Sequence, residues 1–285
     1  IVMNAPEGNV ITTAEHTMAL MLSMSRNIPQ ARSALKDQKT WAPKKFMGKE
    51  LHGKTLGIVG LGRIGTVVAE RAKGFHMKIL VFDPFISQEY AEKIGVEIVE
   101  LHDLLKRSDY LTLHTPSLGD KPLLGATEFS MVKPGLRIVN CARGTLIDDQ
   151  ALIEAIRSGK VAQAALDVYT KEPLPLESPL LELDEIICTP HLGASTEEAQ
   201  EKVAVAICDQ IINFLKHGNV VNAVNMPSID ADTLKKIQPY LKLGEDLGSF
   251  ISQLTGDPIS GVEIQYNGEV AEQRVDPITV SILKG

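Results

Sequence analysis

Cysteine is scarce in this chain: three residues in 285, Cys141, Cys188 and Cys208, scattered and without a C-x-x-C pair. That spacing excludes a disulfide framework and a thiolate zinc site, so no metal is expected. It suits a reducing cytosol, and a cytoplasmic location is expected. Positive charge is not in excess either. Lys and Arg number 29 against 36 Asp and Glu, a net charge of -7. An acidic balance argues against a nucleic-acid partner. No apolar run reaches the ~18 residues that a membrane-spanning helix needs, so no membrane partner is expected. Internal repeats and low-complexity segments are absent as well.

Apolar residues are well represented, at 44%. A chain of this length can bury a sizeable core and is read as two domains and part of a third. The most informative stretch is Thr55-Leu56-Gly57-Ile58-Val59-Gly60-Leu61-Gly62-Arg63-Ile64-Gly65. It reads as a short strand, a G-x-G-x-x-G turn and the start of a helix. In that context Gly60 permits the tight turn, Gly62 lets the backbone approach a pyrophosphate, and Gly65 lets helix and strand pack closely. The helix N-terminus offers free N–H groups and a positive dipole end to phosphates. A second strand, Lys78–Phe82, leads into Asp83, placed for the adenosine ribose hydroxyls. An acid there repels a 2′-phosphate, so NAD is favoured over NADP.

Apolar runs recur at 55–59, 78–82, 109–113, 136–140, 161–166 and 185–188, with helical patterns at 63–74, 101–107 and 148–158. This alternation predicts an α/β fold with a doubly wound parallel sheet, a Rossmann NAD-binding domain. Ahead of it, Thr12-Thr13-Ala14-Glu15 reads as a capping box that opens a helix limited by Pro29. Ala14, Met18, Met21, Leu22 and Ser25 fall near one face of that helix, read as core or subunit interface. Trp41–Phe46 reads as a loop. Ser195-Thr196-Glu197-Glu198 reads as a second box, opening a long helix to about Leu215 that Gly218 ends. Beyond Gly218 the texture changes, with a helix at about 232–254 and an alternating strand at 262–266. These divide the chain into a NAD-binding domain at 1–195, a long returning helix at 196–226, and a fragment of a further α+β domain at 227–285.

A hydroxy-acid oxidoreductase needs a fixed cation for the carboxylate, a proton donor and acceptor near neutral pKa, and a carboxylate to orient it. Arg143, His191 and Glu172 supply these types. Each follows a strand, at the end of a parallel sheet where ligands bind. Singly, Arg143 also reads as a surface arginine, Glu172 as a turn acid and His191 as a loop cap. His114, also after a strand, is the serious rival. His16, His52, His76, His102 and His217 lack a paired motif.

Asn140-Cys141-Ala142-Arg143-Gly144, Ala164–Tyr169, Glu172-Pro173 and Thr189-Pro190-His191-Leu192-Gly193-Ala194-Ser195-Thr196 resemble signatures of the NAD-dependent D-2-hydroxyacid dehydrogenases. Lys45-Phe46-Met47-Gly48, the block from His191 to Gln200 and the segment beyond residue 225 are similar to members that act on a phosphorylated 2-hydroxy acid. The resemblance implies His191 as proton donor and acceptor, Glu172 as its partner and Arg143 as substrate anchor. Arg63 and Ile64 would contact the pyrophosphate, and Asp83 the ribose. Thr115, Cys141, Ala142 and Asp167 would line the dinucleotide cleft, and Gly193 and Ala194 would continue the nicotinamide wall. It also implies a small-molecule substrate and a homodimer or homotetramer. The alternatives are a glyoxylate or hydroxypyruvate reductase of the same family, and a non-catalytic NAD-sensing module of the corepressor kind. Three departures stand out. A substrate-domain segment that family members carry ahead of this region is not in the residues given. Thr145 replaces a common glycine and would be awkward at a positive φ. The tail is expected to hold only the start of an extra domain. Both ends are expected to be cut, and these residues are expected to bind NAD without turnover.

Overall fold

The computed structural model describes residues 1–117, 119, 121–225, 231–255 and 261–285. They form two compact units, one of Asn9–Ala199 and one of Ile1–Gly8 with Gln200–Gly285.

In the larger unit the chain runs α1 (Val10–Ser25), α2 (Ile28–Lys36), β1 (Thr55–Val59), α3 (Arg63–Gly74), β2 (Lys78–Phe82), α4 (Gln88–Lys93), β3 (Glu97–Ile98), α5 (Leu101–Arg107) and β4 (Tyr110–Leu113). It continues through α6 (Ala126–Met131), β5 (Leu136–Asn140), α7 (Asp149–Arg157), β6 (Val161–Leu166) and β7 (Ile186–Cys188). The strands form one parallel sheet in the order β3-β2-β1-β4-β5-β6-β7. The order reverses between β1 and β4, which opens a crevice at their carboxyl ends.

The strands are buried on both faces, and successive side chains serve opposite cores. Val59, Leu80, Leu111, Leu113, Ile138 and Ala164 pack on one side with Leu104 and Leu105 of α5 and Leu152 and Ile156 of α7. Ile58, Ile79, Val81, Tyr110, Val139 and Ala165 pack on the other with α1 and α3. Met18, Met21 and Met24 of α1 are buried there, so the methionine stripe is core. Each such side chain contributes about 1.5–3 kcal/mol by leaving water.

Several local expectations shift. α1 starts at Val10 with Asn9 as its N-cap and no side-chain cap, so Thr12–Glu15 is not its capping box. Thr13 instead donates to the Gly193 carbonyl, and the Thr12 hydroxyl pairs with Thr196. Pro29 does not end α1 but sits in the first turn of α2, where its missing N–H costs nothing. Pro43–Phe46 forms a 3-10 turn within the expected loop. Thr145 lies in another 3-10 turn, Gly144–Leu146, away from positive φ. β3, α4 and α6 are additions to the predicted pattern.

In the smaller unit lie most of α8 (Glu197–His217), α9 (Ala231–Thr255) and α10 (Asp276–Lys284). The Thr196 hydroxyl accepts from the Ala199 N–H, so the cap of α8 falls one residue after the Ser195 start of the expected box. The strand expected at 262–266 is not formed; that stretch is irregular. Its residues find no ladder partner among the described ones, and the Tyr266 hydroxyl bonds Thr279 of α10 instead. Ile237 and Ile278 centre a small core between α9 and α10. The expected first domain begins at Ile1, whereas Ile1–Gly8 lie in this unit. There Asn4 N–H donates to the Asn222 carbonyl and Val224 N–H to that of Val2. The expected boundary at 226–227 falls outside the described residues.

Candidate active site

The crevice at the β1/β4 reversal is built by the turns that leave each strand. After β1, Gly60 has φ 90°, and a Cβ there would stand 2.7 Å from the His114 carbonyl oxygen and from Thr115 Cγ2. Only glycine fits that combination of conformation and close approach. Gly62 faces open space, with nothing within 4 Å of a Cβ position, directly before the first turn of α3. Gly65 lies where a Cβ would strike the Gly60 carbonyl oxygen. Asp83, after β2, accepts from the Leu61 N–H at 2.7 Å and the Phe85 N–H at 2.9 Å. It thereby ties the end of β2 to the glycine turn.

On the other side of the reversal, a cavity of about 250 Å³ is lined by Ile64, Thr115, Cys141, Ala142, Arg143, His191, Gly193 and Ala194, with Asn9, Thr13, His114 and Pro116. The Thr115 hydroxyl oxygen is buried and has no partner among the described residues. A buried polar atom without a partner costs about 1–3 kcal/mol, which a polar ligand in the crevice would relieve. An open glycine cradle, a helix N-terminus and this unmet hydroxyl together fit a dinucleotide.

The loop after β5 presents Arg143. Asn140 shapes it, donating to the Arg143 carbonyl at 2.9 Å and accepting from the Ala142 N–H at 3.1 Å. The exposed guanidinium spends one N–H on the Ala142 carbonyl at 2.6 Å. Gly144 follows because a side chain there would collide with the Tyr169 backbone.

The loops after β6 and β7 meet. His191 Nδ1 lies 2.7 Å from Glu172 Oε2, and the Tyr169 N–H holds Glu172 Oε1 at 2.9 Å. The bond with His191, helped by that backbone N–H, keeps the Glu172 carboxyl below the ordinary carboxylate range. An ionised carboxylate only accepts, so Nδ1 carries hydrogen and Nε2 is left free of the pair. His191 itself has φ 55°, uncommon for a side-chain-bearing residue.

Asp167, at the end of β6, is wholly buried and bonded from every side. It accepts from Thr189 Oγ1 at 2.6 Å, Leu192 N at 2.7 Å and Gly193 N at 2.8 Å, and His16 Nε2 stands 3.2 Å away. Burial alone would raise its pKa; these bonds outweigh it and hold the carboxyl low. Burial pushes the Cys141 thiol up to about 12. His16, Cys141 and Asp167 form the one His/Cys/acid cluster found among the described residues. The donors already on Asp167 make it an anchor for the 189–193 loop.

The rival histidine, His114, bonds Thr112 Oγ1 at 3.0 Å, and burial of its ring pushes it down to about 4. It stays neutral and has no carboxylate partner among the described residues. His16, set aside in the sequence for want of a paired motif, does have one in Asp167. The signal was a polar Thr13, His16 and Thr17 set in the apolar pattern of α1.

Among the described residues no helix is long and apolar enough to cross a membrane. The family profile "D-isomer specific 2-hydroxyacid dehydrogenase, NAD binding domain" matches residues 18–193, and "D-3-phosphoglycerate dehydrogenase intervening domain" matches 236–285. The chain is 47% identical over its whole length to a protein of Archaeoglobus fulgidus named D-3-phosphoglycerate dehydrogenase, and 45% to one of that name from Bacillus subtilis. It spans about half of them, 54% of each. A glyoxylate reductase from Paecilomyes thermophila superposes with a TM-score of 0.72 at 32% identity, over 78% of this chain and 67% of that one. The apo D-lactate dehydrogenase of Escherichia coli gives 0.71 at 32%, over 78% and 70%. By the profile match and by these relatives, the chain belongs to the D-isomer specific 2-hydroxyacid dehydrogenases and carries their NAD-binding domain.

Proposed function

We propose that this chain is the nucleotide-binding part of an enzyme that oxidises D-3-phosphoglycerate to 3-phosphohydroxypyruvate with NAD, the entry to serine synthesis. The observation that carries this reading is the His191–Glu172 pair, 2.7 Å apart, next to a cavity that Arg143 and His191 both line. A bare nucleotide-sensing module has no need of an imidazole backed by a carboxylate.

In this reading the Gly60–Gly65 turn with Arg63 and Ile64 holds the pyrophosphate, and Asp83 the adenosine ribose. Thr115, Cys141 and Ala142 line the nicotinamide half of the cleft, Gly193 and Ala194 continue its wall, and Asp167 stands behind them and holds the 189–193 loop. When bound, NAD supplies the acceptor for the hydride that leaves C2 of the substrate. Arg143 binds the substrate carboxylate and polarises the C2 oxygen, as a planar guanidinium is suited to do. His191 Nε2 takes the proton of the C2 hydroxyl as the carbonyl forms. Glu172 keeps the ring in the tautomer with Nδ1–H and stabilises the imidazolium that results. In reduction the same imidazolium returns the proton.

The same reading makes residues 9–195 the NAD-binding domain with its leading helix. Residues 196–226 carry the returning helix and 227–285 belong to an intervening domain, in a cytoplasmic homodimer or homotetramer. The phosphorylated substrate draws support from the match at 236–285 and from the named relatives.

A substrate panel on the full-length protein tests this. D-3-phosphoglycerate with NAD is expected to give the highest kcat/KM among D-glycerate, D-lactate, glyoxylate and hydroxypyruvate. A higher value for an unphosphorylated acid would move the enzyme elsewhere in the family. NAD binding without turnover of any of them would make it a sensing module.

A further inference from the structure

One stripe of α1 is polar although it is buried. Thr13, His16 and Thr17 stand three and four residues apart and so share a face. Thr13 and Thr17 are buried, and the His16 side chain is 19% exposed. All three turn toward the loops after β5, β6 and β7. Thr13 Oγ1 donates to the Gly193 carbonyl at 3.0 Å. His16 Nε2 lies 3.2 Å from Asp167 Oδ1 and 3.4 Å from Thr189 Oγ1. Thr17 Oγ1 is bonded to the Thr13 carbonyl at 2.9 Å, and the Thr17 side chain also bonds Cys141.

The Asp167 carboxylate grips the loop at Thr189 on one side of His191 and at Leu192 and Gly193 on the other. Those donors belong to the loop itself and move with it. Among the polar groups around this carboxylate, His16 Nε2, 3.2 Å from Oδ1, comes from outside the loop, from a helix fixed in the core by Met18, Met21 and Met24. Asp167 only accepts, and the Thr189 hydroxyl already donates to it, so His16 Nε2 carries the hydrogen shared between them. A site is as well placed as the rigid element behind it.

We propose that His16 is a positioning residue. From α1 it anchors Asp167, and through Asp167 it holds the 189–193 loop that carries His191 in its left-handed turn. The anchoring stands on the geometry alone; its effect on turnover rests on the function proposed above.

The test uses the full-length enzyme with three substitutions. His16→Leu keeps bulk and removes the donor. His16→Asn is too short to reach the carboxylate. His16→Gln restores an N–H at the reach of Nε2. Leucine and asparagine are expected to lower kcat about tenfold, within the range set by small misplacements of a reacting group. The KM for D-3-phosphoglycerate is expected to change less than threefold, and amide exchange over 189–193 to speed about tenfold. Glutamine is expected to bring kcat and exchange back to within about threefold of the parent. Unchanged exchange in both leucine and asparagine variants would overturn the anchor. So would a glutamine variant no better than they are, whereas faster exchange with kcat intact would overturn the effect on turnover and leave the anchor. If the parent enzyme turned over no hydroxy acid, the function would fail while the exchange measurement still decided the anchor.

Discussion

His191 sits at φ 55°, a conformation that costs a side-chain-bearing residue of order 1–3 kcal/mol and persists only where the surroundings impose it. The surroundings here are Asp167, which fixes the next two N–H groups, and Glu172, which fixes the ring. Under the proposed function, replacing His191 by Asn keeps the loop and removes the proton acceptor. It should lower kcat at least about a hundredfold, the low end for general acid–base catalysis, with little change in NAD affinity. Arg143→Ala should raise KM as well as lower kcat, because it removes a group that holds the substrate before and during the reaction. Steady-state kinetics with D-3-phosphoglycerate check both. The pair also has a defined pH range. Its carboxyl is held below the ordinary value of about 4.3 by the bond with His191. A carboxylate of depressed pKa adds its stabilisation above the unfolded-state value and loses it as pH falls through the folded-state value. Carbon NMR of the Glu172 carboxyl should therefore show no titration between pH 5 and 8. The His191–Glu172 bond should open only in more acid solution. A midpoint at or above the ordinary carboxylate value would contradict the pairing.

At the scale of elements, the glycine turn after β1 is where sequence and space coincide most closely. Gly60 needs both a positive φ and room beside the His114 carbonyl. Gly60→Ala should destabilise the unit by about 1–3 kcal/mol through strain at that φ, read as a lower midpoint in chemical denaturation. It should also weaken NAD binding more than it changes any distant property. A binding constant unchanged in the folded variant would show that the turn does not cradle the nucleotide. This turn was legible because the motif states its own geometry. The long strands were legible because they are buried on both faces and read as unbroken apolar runs, and α3 and α5 because their patterns were periodic. β3 has two residues and α4 and α6 have six each, too short to show a period. At α1 the hydroxyls of Thr12 and Thr13 went to tertiary partners instead of the helix end, which a local capping rule cannot anticipate. The stretch 262–266 alternates as a strand does, but alternation without a neighbouring edge makes no ladder. Position after a strand of a parallel sheet made Arg143, Glu172 and His191 candidates together with His114, and it was the resemblance of their motifs to a known family that chose among them. His16 could not be named, because its partner lies far along the chain and only the packing of α1 on β5 and β6 brings them together.

At the scale of the whole molecule, the two units differ in how much core supports them. Asn9–Ala199 holds two large apolar clusters, one on each face of the sheet, whereas the smaller unit centres on Ile237 and Ile278. Helices α9 and α10 leave Leu243, Leu247, Phe250 and Leu283 exposed, so much of their apolar surface adds nothing to stability in these residues. Stability per unit follows buried area. The 285-residue chain should then unfold in two steps, the smaller unit first. The crevice that fits NAD lies wholly in the larger unit, so NAD should move only the second step. A ligand at a hundred times its dissociation constant adds about 2.7 kcal/mol to the state that binds it. For a unit of this size that is a rise of several degrees in Tm. Hydrogen exchange resolved along the chain separates the steps, and calorimetry with and without NAD measures the shift. A single transition that NAD raises as a whole would show that the two units share one cooperative core. A second step that NAD leaves in place would remove the nucleotide from the β1/β4 crevice.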